Sequence, residues 1–307
     1  MINRRRAIVT AGRFSLGLVL GKAALPSGVL AVDDGTNPDY YTPVPDVTET
    51  VGGLLPQYRL LSYYGFPDNA LMGILGEYDK DTLLAKLQDQ AAAYAAIDPD
   101  RPLKLAFEMM ATVALANSGP DGNYIRYTDP DVMQDYVDFT AANDMVLIFD
   151  VQFGRASVQD QVDYVRPWLA YEHVHLALDP EFHVTDSEVP GQELGSITAA
   201  DVTYAQEQLV QIAQNNNIPP KFLIVHQFNY YSLPDKENIG IVPGMQLVMT
   251  ADGFGPPADK LATYDVIVTK REIEYNGFKL FYQQDDPLMA PADVLNLNPV
   301  PDLIIYQ

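Results

Sequence analysis

Val174-His175-Leu176-Ala177-Leu178-Asp179-Pro180-Glu181-Phe182 reads as one strand and the turn that leaves it. Side chains alternate across a strand, so Val174, Leu176 and Leu178 share one face while His175, Ala177, Asp179 and Glu181 share the other. The bulky apolar face suits a layer of covering helices. The other face carries small and polar residues that turn acidic where the strand ends.

Seven further apolar runs flank this one: Tyr58–Tyr64, Leu103–Val113, Met145–Gln152, Phe222–Phe228, Met245–Asp252, Gly277–Gln283 and Asp302–Tyr306. Helical patterns separate most of them, at Asp81–Ile97, Pro130–Asn143, Ser157–Leu169 and Thr198–Asn215, the last started by Thr198 or Ser196. The connections at Ser232–Gly240 and Asp293–Leu297 are weak in helix. Eight strands joined by crossover helices over about 250 residues predict an α/β fold, a single (β/α)8 TIM-type barrel spanning 58–307. The chain stops on the eighth run, so the last outer helix is expected to be missing. A doubly wound open sheet is the rival, but no Gly-x-Gly-x-x-Gly follows the first run and there is no Walker-type loop.

Barrel enzymes place their chemistry at the C-terminal ends of the strands, which gives polar residues there a special weight. Those ends carry Asp150 and Gln152, Asp179 and Glu181, His226 and Gln227, Asp252, then Lys279 and Gln283, and finally Gln307. Carboxylates converging on one rim repel one another and raise at least one pKa, which makes a general acid; Lys279 would hold another ionised. The expected catalytic set is Glu181, Asp179, Asp150, Asp252 and His226, with Glu181 foremost. Asp150 and Asp252 could equally cap turns, and Asp285 and Asp286 before Pro287 read as turn residues. Glu108 sits in an otherwise apolar run, a costly place, where Lys104 or Lys279 would pair with it. His175 reads as a satisfied core histidine.

Aromatic and amide side chains interleave along the same rim. Tyr63, Tyr64, Phe182, Phe254 and Tyr282 with Gln152, Gln227, Gln283, Gln307 and Lys279 form the expected binding surface. Flat rings and amides suit a neutral, hydroxyl-rich ligand such as a sugar. They could also simply plug the barrel top. No metal-ligand motif is present and no cofactor is expected, although Asp150, Asp179 and Asp252 could form an all-oxygen Mg2+ or Ca2+ site. The Gly-x-Ser-x-Gly elbow of serine hydrolases is absent.

The 307 residues contain 19 Lys+Arg, 41 Asp+Glu and no Cys, for a net charge of −22. Thiolate metal sites, thiol nucleophiles and disulfides are thereby excluded, and the acidity argues against a nucleic-acid partner. The basic residues are uneven. Asn3-Arg4-Arg5-Arg6 precedes an apolar stretch, Ala7–Leu20, broken by Gly12 and Gly17, and the segment reaches Val29-Leu30-Ala31. This resembles a twin-arginine export signal with cleavage after Ala31, giving an extracellular, periplasmic or cell-wall location and no membrane attachment afterwards. The same stretch retained as an anchor is the alternative. Loss of residues 1–31 removes five basic residues and no acid, which leaves 14 basic against 41 acidic and a charge of −27. Residues 32–57, rich in Asp, Pro and Gly, read as a linker or arm, here expected to cover the gap left by the last helix.

Tyr63-Tyr64-Gly65, His175 through Phe182, Val225-His226-Gln227-Phe228, Asp252-Gly253-Phe254-Gly255 and Gly277 through Tyr282 together resemble a family of exported bacterial (β/α)8-barrel proteins of uncharacterised function. More distantly, the layout is similar to barrel glycoside hydrolases. That resemblance implies an acid/base on strand four, which Glu181 matches, and a carboxylate nucleophile on strand seven, where Gln283 stands with Asp285 two residues later. The expectation is an exported hydrolase of glycans or glycosides using carboxylate acid/base catalysis. A divalent-metal phosphodiesterase with His226 as acid/base, or a non-catalytic binding protein, are the alternatives.

Overall fold

A computed structural model describes residues 50–67, 69–269 and 274–307. The expected signal at 1–31 and most of the arm at 32–57 lie outside them.

All eight apolar runs are strands of one closed parallel barrel. In chain order they are β1 (Arg59–Gly65), β2 (Leu103–Ala114), β4 (Val146–Gln152), β5 (Val174–Asp179), β6 (Phe222–Gln227), β7 (Gln246–Ala251), β8 (Tyr275–Leu280) and β9 (Leu303–Tyr306). The short β3 (Ile125–Tyr127) adds antiparallel to the end of β2. Each barrel strand pairs with its neighbour in sequence, and closure comes from β1 pairing in parallel with both β2 and β9. The fold is therefore a TIM-type α/β barrel rather than an open doubly wound sheet.

The helices follow from their caps. Asp79 accepts from the Thr82 backbone to start α1 (Lys80–Ala95), and Asp129 caps α2 (Pro130–Ala142). Ser157 with Asp160, and Thr198 with Asp201, form reciprocal capping boxes at α3 (Val158–Leu169) and α4 (Ala199–Asn216). Asn217 ends α4 in the left-handed region at φ 52°. Between β6 and β7 the chain makes only short 3-10 turns, because Pro234, Gly240 and Pro243-Gly244 interrupt any longer helix. Two short helices, α5 (Pro257–Tyr264) and α6 (Pro291–Leu295), cover the last connections.

Alternation divides the core into two. Val174, Leu176 and Leu178 pack with Leu223, Val225, Leu147 and Phe149 against the helices. Ala106, Ile148, Ala177, Ile224, Val248 and Ile305 fill the barrel interior. The expected cover of the gap by the arm falls mostly outside the described residues, and the described part, 50–57, packs under the barrel. Leu55 joins the interior cluster and its backbone N–H donates to Gln246 Oε1 (3.2 Å), while Thr50 Oγ1 donates to the Met245 carbonyl (2.9 Å). Both partners stand at the start of β7, so this segment closes the N-terminal end of the barrel. The open end is the other one.

Candidate active site

Polar residues replace the apolar interior in the upper half of the barrel, because the strands that carry them end there in acids, amides and a lysine. Glu108 of β2, Asp150 of β4, His226 of β6 and Lys279 of β8 all point inward, each at most 5 % exposed. The His226 ring is the hub. It meets Glu108 Oε1 through Nε2 (2.7 Å) and Asp252 Oδ2 through Nδ1 (2.7 Å). Thr250 Oγ1 donates to Asp252 Oδ1 (2.6 Å), and Lys279 Nζ lies 3.4 Å from Asp252 Oδ2 and 3.7 Å from the centre of the Tyr64 ring. Burial would strip the proton from His226, but the Asp252 and Glu108 carboxylates outweigh it and raise the pKa well above the ordinary value. Burial acts on Asp252 in the opposite sense and is likewise overridden, by His226, Lys279 and its hydrogen bonds, so that carboxylate is held well below the usual range. The sequence expectation that Glu108 pairs with a lysine gives way to His226, while Lys104 instead reaches Asp144 at 2.6 Å.

Above this network a pocket with about 70 Å3 of free volume opens at the C-terminal ends of the strands. Tyr64, Gln152, Asp179, Glu181, Asp252 and Lys279 form its polar lining, and Phe182, Phe228, Phe254 and Phe281 wall it, with Gln307 beside them. Gln152 fixes Asp179 by donating from Nε2 to Oδ2 (3.0 Å), while its own Oε1 accepts from the Ala114 backbone (2.8 Å). Glu181 is different. Its Oε1 is buried without a hydrogen bond, and burial together with the Asp179 and Asp252 carboxylates pushes its pKa up to about 8. Asp150 lies under the pocket floor, where burial and then Asp179 raise it to about 8, partly opposed by His226.

Most of the expected rim converges as the alternation predicts, but four residues do not. Tyr63 belongs with Leu61 to the helix-facing layer, its hydroxyl 3.5 Å from that of Tyr282, which stacks on Tyr306 at 5.3 Å. Gln283 joins them there, donating from Nε2 to Glu77 (3.3 Å). Together they line a separate outer cleft of about 550 Å3 beside α1. Gln227 shares the outward parity of Leu223 and Val225 and is buried away from the pocket. Asp285 is structural: it pairs with buried Lys260 (3.0 Å) and accepts from the Gly255 and Phe281 backbones. No carboxylate from β8 or the turn after it therefore lines the pocket, and the strand-seven nucleophile of the glycosidase pattern has no counterpart there. Phe228 and Gln284, an aromatic and an amide of the same rim, stand in the site as well, and Thr250 and Phe281 complete it without having been among the expected residues. Thr250 was detectable from its place two residues before Asp252, on the same face.

Fold and site together define a TIM-type barrel with a small, acidic, phenylalanine-walled pocket at the C-terminal ends of its strands. No protein-family model matches the chain, and no curated protein matches it.

Proposed function

We propose that the protein is an exported hydrolase that cleaves a glycan or glycoside at this pocket by carboxylate acid/base catalysis. One observation carries the reading. Glu181 and Asp252 line the same pocket in opposite environments, one with its Oε1 buried without a hydrogen bond, the other held by an imidazole, a hydroxyl and a lysine. Two carboxyl groups driven apart in this way are the arrangement that lets one donate a proton while the other stays ionised. Glu181 is the general acid, protonating the leaving oxygen. Asp252 is the ionised partner, as base or nucleophile, and comes from β7 rather than β8. Asp179 raises the pKa of Glu181 and is itself fixed by Gln152.

A volume of about 70 Å3 holds about two waters and falls below the roughly 300 Å3 of ordinary ligand sites. Substrate entry therefore requires the Phe182, Phe228, Phe254 and Phe281 side chains to swing outward. The rings then offer apolar faces to the sugar, while Gln152, Gln284 and Gln307 meet its hydroxyls. The twin-arginine-like start, and the family resemblance of the rim motifs, support an extracytoplasmic setting for such a substrate. The test is a panel of oligosaccharides and alkyl glycosides, whose leaving groups need protonation, with the wild-type protein and Glu181→Gln. Turnover by the wild type that disappears in the variant supports the reading, and turnover retained at the wild-type rate in Glu181→Gln overturns it.

A further inference from the structure

Beneath the pocket floor three ligand-type side chains meet with more acceptor capacity than the protein satisfies. Glu108, Asp150 and His226 come from β2, β4 and β6, and one donor atom from each lies within 4.8 Å of the other two. Nε2 of His226 is 2.7 Å from Glu108 Oε1 and 3.9 Å from Asp150 Oδ2. Both carboxylates are fully buried, at 0 % exposure. Glu108 Oε2 and both oxygens of Asp150 have no hydrogen-bond partner of good geometry, the Tyr64 hydroxyl being the polar group that approaches Asp150. Three such acceptor atoms converging in a barrel interior are costly, and one cation supplies all three at once.

The surroundings of His226 match what a metal-binding imidazole requires. Its far nitrogen, Nδ1, is tied to Asp252 Oδ2 at 2.7 Å, and Asp252 is itself fixed by Thr250 at 2.6 Å. A carboxylate on the far ring nitrogen orients the ring and keeps a proton on Nδ1, so that a metal ion would take the place of the proton that Nε2 shares with Glu108 Oε1. Of the all-oxygen set that the sequence leaves open, Asp150, Asp179 and Asp252, Asp150 belongs to this cluster. Asp179 is engaged by Gln152, and Asp252 serves as the orienting partner.

We propose that Glu108, Asp150 and His226 bind a divalent transition-metal ion. One imidazole nitrogen and two carboxylate oxygens suit Mn2+, Fe2+ or Zn2+ better than Mg2+ or Ca2+, which favour all-oxygen shells. The inference stands independently of the glycoside reading, because it concerns the floor beneath the pocket and needs no substrate.

The test uses the full chain stripped with a chelator and titrated with Mn2+ alone, followed by electron paramagnetic resonance. The expected result is one Mn2+ per chain, displaced by Zn2+ and not by Mg2+, with pulsed-resonance modulation from a single 14N ligand. Asp150→Asn and Glu108→Gln should abolish the binding, and Asp252→Asn should weaken it about 10- to 100-fold through the lost orientation of His226. Wild-type protein that takes up neither Mn2+ nor Zn2+ in the millimolar range overturns the proposal. So does a bound Mn2+ with no nitrogen coupling, a readout that does not depend on any variant folding.

Discussion

The outer cleft and the mouth pocket are built from adjacent residues and differ in everything that matters for chemistry. Tyr63 faces the cleft and Tyr64 the pocket; Gln283 lines one and Gln284 the other. The cleft is the larger space, about 550 Å3 against about 70 Å3. It holds tyrosine hydroxyls that meet one another, as in the 3.5 Å contact of Tyr282 with Tyr63, and its acids Glu77 and Asp89 sit near solvent. The pocket holds three carboxyl groups and a lysine in a setting dry enough to move their pKa values in opposite directions. Volume and reactivity are thus separated by one residue of strand parity. The charged lining, not the roomier space, is what the proposed chemistry rests on.

If that contrast is right, perturbations of the pocket are large and those of the cleft small. The largest effect is expected for Glu181→Gln, which should cut turnover by about 10^2- to 10^4-fold, the usual worth of a positioned general acid. Substrates whose leaving groups need no protonation should be cleaved by the variant with a much smaller loss, measured as the leaving-group dependence of kcat. The next largest is structural. Lys279→Met removes a buried cation from beside Asp252 and should lower the unfolding free energy by roughly 3 kcal/mol in denaturant titrations.

Stability should also respond to pH through Glu181. Its folded pKa is about 8 against an ordinary 4.5, so the folded chain binds an extra proton between those values, and stability falls as pH rises through that window. Glu181→Gln removes this penalty. The variant should match the wild type near pH 4.5 and exceed it by about 2 kcal/mol at pH 8, a figure reduced from the full shift because part of the side chain meets solvent. A gap that stays constant across the window would show that Glu181 does not titrate there. In the cleft, Tyr282→Phe deletes a hydroxyl with a long 3.5 Å contact and should change stability by less than about 0.5 kcal/mol, with turnover unchanged. A loss of turnover in that variant would break the contrast.

The eight strands were legible because each is an apolar run of strand length, and Asp179, Glu181, Asp150 and Lys279 fell where alternation put them. Tyr63 and Tyr64 were not separable by type, since an aromatic ring suits either side of a barrel wall. Gln283 was misplaced because alternation was carried past Leu280, where β8 ends and the turn held by Asp285 begins. The pairing of Glu108 with His226 joins residues 118 apart in sequence, a closure set by barrel geometry and by no local pattern.

The most direct measurement is infrared difference spectroscopy of the wild type against Glu181→Gln across pH, reading the carbonyl band of a protonated carboxylic acid. A band assigned to Glu181 that persists at neutral pH and disappears with a midpoint near 8 is the expected result. A band already lost near pH 4.5 would show Glu181 ionised under working conditions and would contradict its role as the acid of this pocket.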